Sequence, residues 1–137
     1  MEKKKLLFLC TGNSCRSQMA EGFARHFYEN KYEVYSAGIE KHGMNQRAIK
    51  VMKESGVDIN SHHSKTLEDL GSIVFDTVYT VCGHANENCP VFLGKAKVIH
   101  VGFDDPPKLA HGLEDEEEIL NCYRRVRDEI KNWIRNL

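Results

Sequence analysis

Cys10, Thr11, Gly12, Asn13, Ser14, Cys15, Arg16 and Ser17 form a cysteine, five residues, an arginine and a hydroxyl in succession. That spacing suits capture of a tetrahedral oxyanion and attack on it by sulfur. The apolar run ending at Cys10 has strand length, and Met19, Ala20, Phe23, Ala24 and Phe27 follow at helical spacing. The loop between them therefore opens a helix N-terminus, where backbone N–H groups lack intrahelical partners and the dipole is positive. Thr11 through Arg16 are the expected anion-binding residues. Gly12 and Asn13 tolerate the backbone angles that would turn donors inward, and Arg16 adds a planar charged fork. Among these dipoles, with Arg16 and the Ser17 hydroxyl nearby, Cys10 is expected to ionise below the ordinary thiol range and act as the nucleophile.

Displacement at such an anion needs a proton for the departing oxygen. Asp105 is the expected acid because Pro106 biases it toward an extended conformation, with Asp104 in reserve. A hydrolase could stop there, but Cys82 and Cys89 flank a polar stretch just after a predicted strand. Reducing a pentavalent oxyanion takes two electrons, and one dithiol-to-disulfide conversion supplies two. Cys10, Cys82 and Cys89 are enough for a relay in which the first thiol binds the central atom, the second attacks Cys10, and the third carries the disulfide to an external reductant. Cys15 is expected to contribute only its backbone N–H, and Cys122 is assigned no chemistry.

These residues need a scaffold that brings strand ends together. Tyr32–Ser36 reads as a second strand, Thr77–Val81 as a third leading into Cys82, and Lys97–Val101 as a fourth leading to Asp104 and Asp105. Asn45 is a plausible N-cap for a helix carrying Ala48, Ile49 and Met52, with Gly56 at its end. Ile119, Tyr123, Val126, Ile130, Trp133 and Leu137 make one apolar stripe on a long final helix, and the charge run from Glu114 to Glu118 reads as a solvated face. Alternating strands and helices imply an α/β fold with a four-stranded parallel sheet, order 2-1-3-4, and helices on both faces. Ligands bind at the switch point of such a sheet, beyond the carboxyl ends of its strands.

The chain has 137 residues, 41% hydrophobic and 28% charged, which fits one domain spanning 1–137. A net charge of -1 gives no electrostatic case for nucleic acid or an anionic membrane. Lys3, Lys4 and Lys5 precede an apolar run too short for an export signal, so a cytoplasmic location is expected. Five cysteines, an odd number, fit a reducing compartment better than a disulfide framework. Their spacings lack the paired pattern of a structural zinc site, so no metal is expected. A near-neutral domain without an evident exposed apolar element is expected to be monomeric.

The stretch from Cys10 to Gly22, Val34 to Gly38, Cys82 with Cys89 and Pro90, Gly102 to Pro106 and Arg125 to Ile130 resembles the thioredoxin-coupled arsenate reductases. That family shares its fold and anion loop with the low-molecular-weight protein tyrosine phosphatases. Gln18 stands where the phosphatases usually have proline. The resemblance implies that Cys10 attacks arsenate held by the loop and Arg16, with phosphate or sulfate as analogues, while Asp105 acts as acid. Cys82 then releases arsenite, Cys89 attacks Cys82, and thioredoxin reduces the resulting disulfide, with no bound cofactor. The alternative is a phosphatase that hydrolyses phosphomonoesters through a Cys10 phosphocysteine; a non-catalytic anion-binding module is a third reading. Some relatives hold potassium at positions matching Asn13, Glu21 and Ser36 together with an acidic residue. Here that residue is Lys65, whose ammonium would take the place of the ion. His84 in the relay segment and Val101, where the reductases often have tryptophan, also depart from the pattern and bear on the surface offered to thioredoxin.

Overall fold

A computed structural model describes residues 3–83 and 96–137. Strand β1 (Lys4–Cys10) pairs in parallel with β2 (Tyr32–Gly38) and with β3 (Thr77–Thr80), and β3 pairs with β4 (Lys97–His100). The sheet order is therefore β2-β1-β3-β4, with the switch point between β1 and β3. β1 is central, and its residues from Leu6 to Cys10 are all buried, which explains a continuous apolar run rather than an alternating one.

The helices are α1 (Arg16–Tyr28), α2 (Gln46–Glu54), the short α3 (Pro106–Leu109) and α4 (Glu116–Arg135). Asn45 caps α2, its side-chain oxygen accepting from the N–H groups of Arg47 and Ala48. Asp115 caps α4 by accepting from Glu118 N–H, so one member of the acidic run terminates the helix while the run stays exposed. Along α4, Ile119, Tyr123, Val126 and Ile130 are buried as the stripe requires, and Ile134 joins them while Trp133 is only partly buried. Trp133 instead packs its ring against Phe8, Tyr79 and Phe103. Among the described residues, no helix is long and apolar enough to cross a membrane.

Backbone hydrogen bonds continue the sheet past its strand ends. Val81 N–H donates to Leu9 O at 2.9 Å, Val101 N–H to Thr80 O at 2.9 Å, and Phe103 N–H to Val81 O at 3.2 Å. The residue following β3 is thereby fixed beside the end of β1, and those following β4 beside the end of β3.

Candidate active site

The loop from Cys10 to Arg16 is held from outside by the segment that leaves β2. Ile39, Glu40, His42 and Asn45 donate their N–H groups to the carbonyls of Cys10, Thr11, Gly12 and Ser14, at 2.8 to 3.1 Å. The carbonyls of Asn13 and Cys15 accept from Gln18 Nε2 and Met19 N–H. With its acceptors turned outward, the loop keeps amide donors for the cavity of about 290 Å³ that it encloses. Cys10, Thr11, Gly12, Ser14, Cys15, Arg16, His42, Asp105 and Pro107 line that cavity. A larger one, about 550 Å³, opens elsewhere between Lys3, Arg25, Tyr32 and His62 and has no sulfur nucleophile in its wall among the described residues.

Close approach governs the glycines here. A Cβ on Gly38 would overlap Glu40 O and stand 2.8 Å from Asn13 N and Thr11 O, so the outer segment can brace the loop only through glycine. On Gly12 it would overlap the His42 ring. Asn13, rather than Gly12, takes the left-handed conformation, with φ 49°.

Arg16 donates from Nη1 to Phe103 O at 3.0 Å and places Nη2 3.7 Å from Asp105 Oδ1. Its Nε is buried without a hydrogen-bond partner among the described residues. Leaving such a donor unpaired costs about 1–3 kcal/mol, which an oxyanion in the cavity would offset. Asp105 lies just ahead of α3, 39% exposed at the cavity wall. Asp104 points away, paired with exposed Arg125, so the two adjacent acids have separate surroundings.

Two members of the loop face away from the cavity. Asn13 is fully buried, and its Nδ2 donates to Ser17 Oγ at 2.8 Å and to Ser36 Oγ at 3.0 Å. Gln18 Nε2 donates to Asn13 Oδ1 at 2.9 Å and to His63 O, and Gln18 Oε1 lies 3.0 Å from His62 Nδ1. Asn13 thus shapes the loop from behind rather than lining its ligand side. The Ser17 hydroxyl is likewise engaged with Asn13, and it is the Ser17 backbone N–H that reaches the Cys10 sulfur.

The Cys10 thiol departs from the sequence expectation. It is held well above the ordinary thiol range, first by its hydrogen bond with Cys82 and then by burial, against the Arg16 guanidinium and the Ser17 N–H. Ionisation of either of two touching thiols disfavours that of the other, an effect that a reading of the loop alone misses. Cys82 is buried, and its Sγ lies 3.2 Å from Thr11 Oγ1. Cys15 is also buried, and desolvation raises it beyond any working pH. Cys122 is partly buried on α4. Cys89 and His84 lie outside the described residues.

The sequence profile of the low molecular weight phosphotyrosine protein phosphatases matches residues 5–137. The chain belongs to that family. Within this phosphatase family it is similar to the arsenate reductase of Halalkalibacterium halodurans, with 48% identity over 135 residues, 98% of this chain and 95% of the relative. Among solved structures it is similar to an arsenate reductase in the oxidised state, with TM-score 0.79, 32% identity and coverage of 98% of this chain and 95% of the other. An arsenate reductase in the phosphate binding state gives TM-score 0.71 and 33% identity, over 97% of this chain and 95% of the other.

Behind the anion loop of this phosphatase-family chain lies a group of oxygens that an ammonium occupies. Lys65 Nζ stands 3.2 Å from His63 O, 3.4 Å from Ser36 Oγ, 3.5 Å from Asn13 Oδ1 and 3.6 Å from Glu21 Oε1. Lys65 N–H also donates to Asn13 Oδ1 at 2.9 Å. Glu21 is buried and further receives Ser36 Oγ–H and Arg25 Nε–H. The buried Glu21 carboxylate is thus faced by a positive charge fixed to the chain itself.

Sequence reasoning passed over His42 and Glu40. Neither belongs to a periodic run or a recognisable motif, and only the crossing of the outer segment over Gly12 brings His42 to the cavity. The bonding of that segment to the loop is a tertiary register with no short-range signature.

Proposed function

We propose that the chain is an arsenate reductase that uses Cys10, Cys82 and Cys89 in turn and is regenerated by thioredoxin. The observation that carries this reading is the second thiol: Cys82 is hydrogen-bonded to Cys10 and lies 3.2 Å from Thr11 Oγ1. A phosphatase resolves its covalent intermediate with water, whereas a sulfur already in contact with the nucleophile can resolve it by forming a disulfide.

Arsenate, as substrate, occupies the cavity with its oxygens on the loop amides and Arg16. Cys10 Sγ attacks arsenic, and Asp105 protonates the oxygen that departs. Cys82 Sγ then attacks Cys10 Sγ, arsenite leaves, and the Cys10 to Cys82 disulfide passes to Cys82 and Cys89. Thioredoxin reduces that last bond, so both electrons come from sulfur and no resident cofactor is needed. The arsenate reductases similar to this chain support the substrate assignment, one of them in a phosphate binding state.

The test is arsenate-dependent NADPH consumption with thioredoxin and thioredoxin reductase, comparing the parent with Cys82→Ser and Cys89→Ser. Both variants are expected to lose multiple turnover. Unchanged arsenate turnover in Cys89→Ser would defeat the three-thiol relay, and aryl phosphate hydrolysis without arsenate reduction in the parent would favour a phosphatase.

A further inference from the structure

The wall of the oxyanion cavity is completed by an imidazole. His42 lies so close over Gly12 that a Cβ there would overlap its Nδ1 and Cγ, and His42 N–H donates to Gly12 O at 3.0 Å. Glu40 Oε2 takes Nε2–H at 2.7 Å, which leaves Nδ1 as the ring nitrogen nearest Gly12. Cys10, Arg16 and Asp105 line the same cavity. The side chain is 50% exposed, so the ring can exchange protons with water.

Arsenate reduction, the reading this step rests on, creates a demand for such a group. Attack by Cys10 leaves a thioarsenate monoanion on its Sγ, and Asp105 has by then given its proton to the departing oxygen. When Cys82, its proton given up to solvent, attacks Cys10 Sγ as the thiolate, an S–S bond forms and the S–As bond breaks. The electron pair of that bond stays on arsenic, which passes from pentavalent to trivalent as the two sulfurs are oxidised to a disulfide. The leaving group is then a hydrogen arsenite dianion. It is strongly basic, because arsenous acid is a weak acid that is neutral near pH 7.

We infer that His42, as imidazolium, protonates an arsenic-bound oxygen as Cys82 displaces arsenite, with Glu40 as the positioning residue that holds the ring over Gly12. The product leaves as the monoanion, takes its last proton from water, and the imidazole is recharged from solvent. The charged and titratable groups around the ring are Glu40 and Lys41 on its own segment and Cys10, Cys15, Arg16 and Asp105 across the cavity. Lys41 is paired with Asp69 at 2.8 Å, so its ammonium is directed elsewhere.

The test is single-turnover arsenite formation by the reduced full-length protein, quenched in acid, for the parent, His42→Gln, His42→Ala and Glu40→Gln. His42→Gln is expected to slow arsenite release about a hundredfold at neutral pH, while the half-saturating arsenate concentration moves less than about threefold. The decline of the parent rate with rising pH should flatten in that variant. Added imidazole should restore His42→Ala, and Glu40→Gln should show a smaller loss. An unchanged rate and pH profile in His42→Gln, or a loss in His42→Ala that imidazole does not restore, overturns the role. A parent that forms no arsenite overturns the reductase reading and this role with it.

Discussion

Cys82 Sγ lies 3.2 Å from Thr11 Oγ1, which joins the end of β3 to the anion loop at the end of β1. The contact depends on the parallel pairing of the two strands, continued by Val81 N–H to Leu9 O. In the proposed relay it aims the second thiol at the sulfur that this thiol would attack. Thr11→Val keeps the side-chain volume and removes the hydroxyl. A lost hydrogen bond of about 1 kcal/mol predicts a several-fold to roughly tenfold slower arsenite release in single turnover, with arsenate binding less affected. Equal rates in parent and variant would show that backbone packing alone positions Cys82.

The largest influence raising Cys10 is its hydrogen bond with Cys82, and burial comes second. A raised thiol is less ionised at neutral pH, so removing that partner should release the thiolate earlier. Alkylation of Cys10 by iodoacetamide, followed across pH, should therefore have its midpoint at lower pH in Cys82→Ala than in the parent. Burial remains in the variant, which keeps part of the elevation. An upward shift would contradict this effect of one thiol on the other.

Gly38 and Gly12 both sit where a side chain would collide, but with different neighbours. At Gly38 the obstacles are backbone atoms of Glu40, Asn13 and Thr11, whereas at Gly12 the obstacle is a half-exposed imidazole that can swing away. Gly38→Ala is expected to cost about 1–3 kcal/mol or more in denaturant unfolding, and Gly12→Ala distinctly less. Gly12→Ala should instead lose arsenate turnover, because it displaces His42 and narrows the cavity. Equal destabilisation by the two substitutions would speak against the bracing role of the outer segment.

The sheet order and the loop were legible because each rests on local pattern: a buried central strand reads as an unbroken apolar run, and the change to helical spacing after Arg16 marks the helix. The same logic identified the stripe on α4, although Ile134 is buried and Trp133 turns toward Phe8, Tyr79 and Phe103. What the sequence hid was direction. Asn13 and Ser17 belong to the loop by position, yet the φ of 49° at Asn13 sends its side chain behind the loop, where it engages Ser17. The elevation of Cys10 was hidden for a related reason, since its cause is a thiol brought near by strand pairing rather than by sequence.

Lys65 places its ammonium among oxygens of Glu21, Asn13, Ser36 and His63, all within 3.6 Å. Turnover should therefore be the same in potassium and sodium salts, and a clear potassium requirement would show that the lysine does not substitute for an ion. Lys65→Met leaves buried Glu21 with less compensation and is expected to cost about 1–3 kcal/mol in denaturant unfolding. Lys65→Asp should regain stability when potassium is added, because it restores a carboxylate to the oxygen set.

His62 predicts a specific acid sensitivity. Burial lowers its protonation equilibrium below the ordinary histidine range, with nearby Glu21 opposing the shift, and its Nδ1 stands 3.0 Å from Gln18 Oε1 and 3.4 Å from Glu21 Oε2. A depressed histidine is neutral in the folded chain at pH values where the unfolded chain already binds the proton. Folding stability contributed by His62 is therefore present above about pH 6.5 and declines as pH falls below it. His62→Gln removes the titration while keeping a polar side chain near Gln18. Urea unfolding at about pH 7 and about pH 5.5 should show a smaller loss of stability on acidification in the variant than in the parent. Parallel losses in the two proteins would mean that protonation of His62 is not linked to folding. Because Gln18 also holds Asn13, the same acidification should loosen the anion loop in the parent before global unfolding, measurable as faster hydrogen exchange at the Lys65 amide, which donates to Asn13 Oδ1.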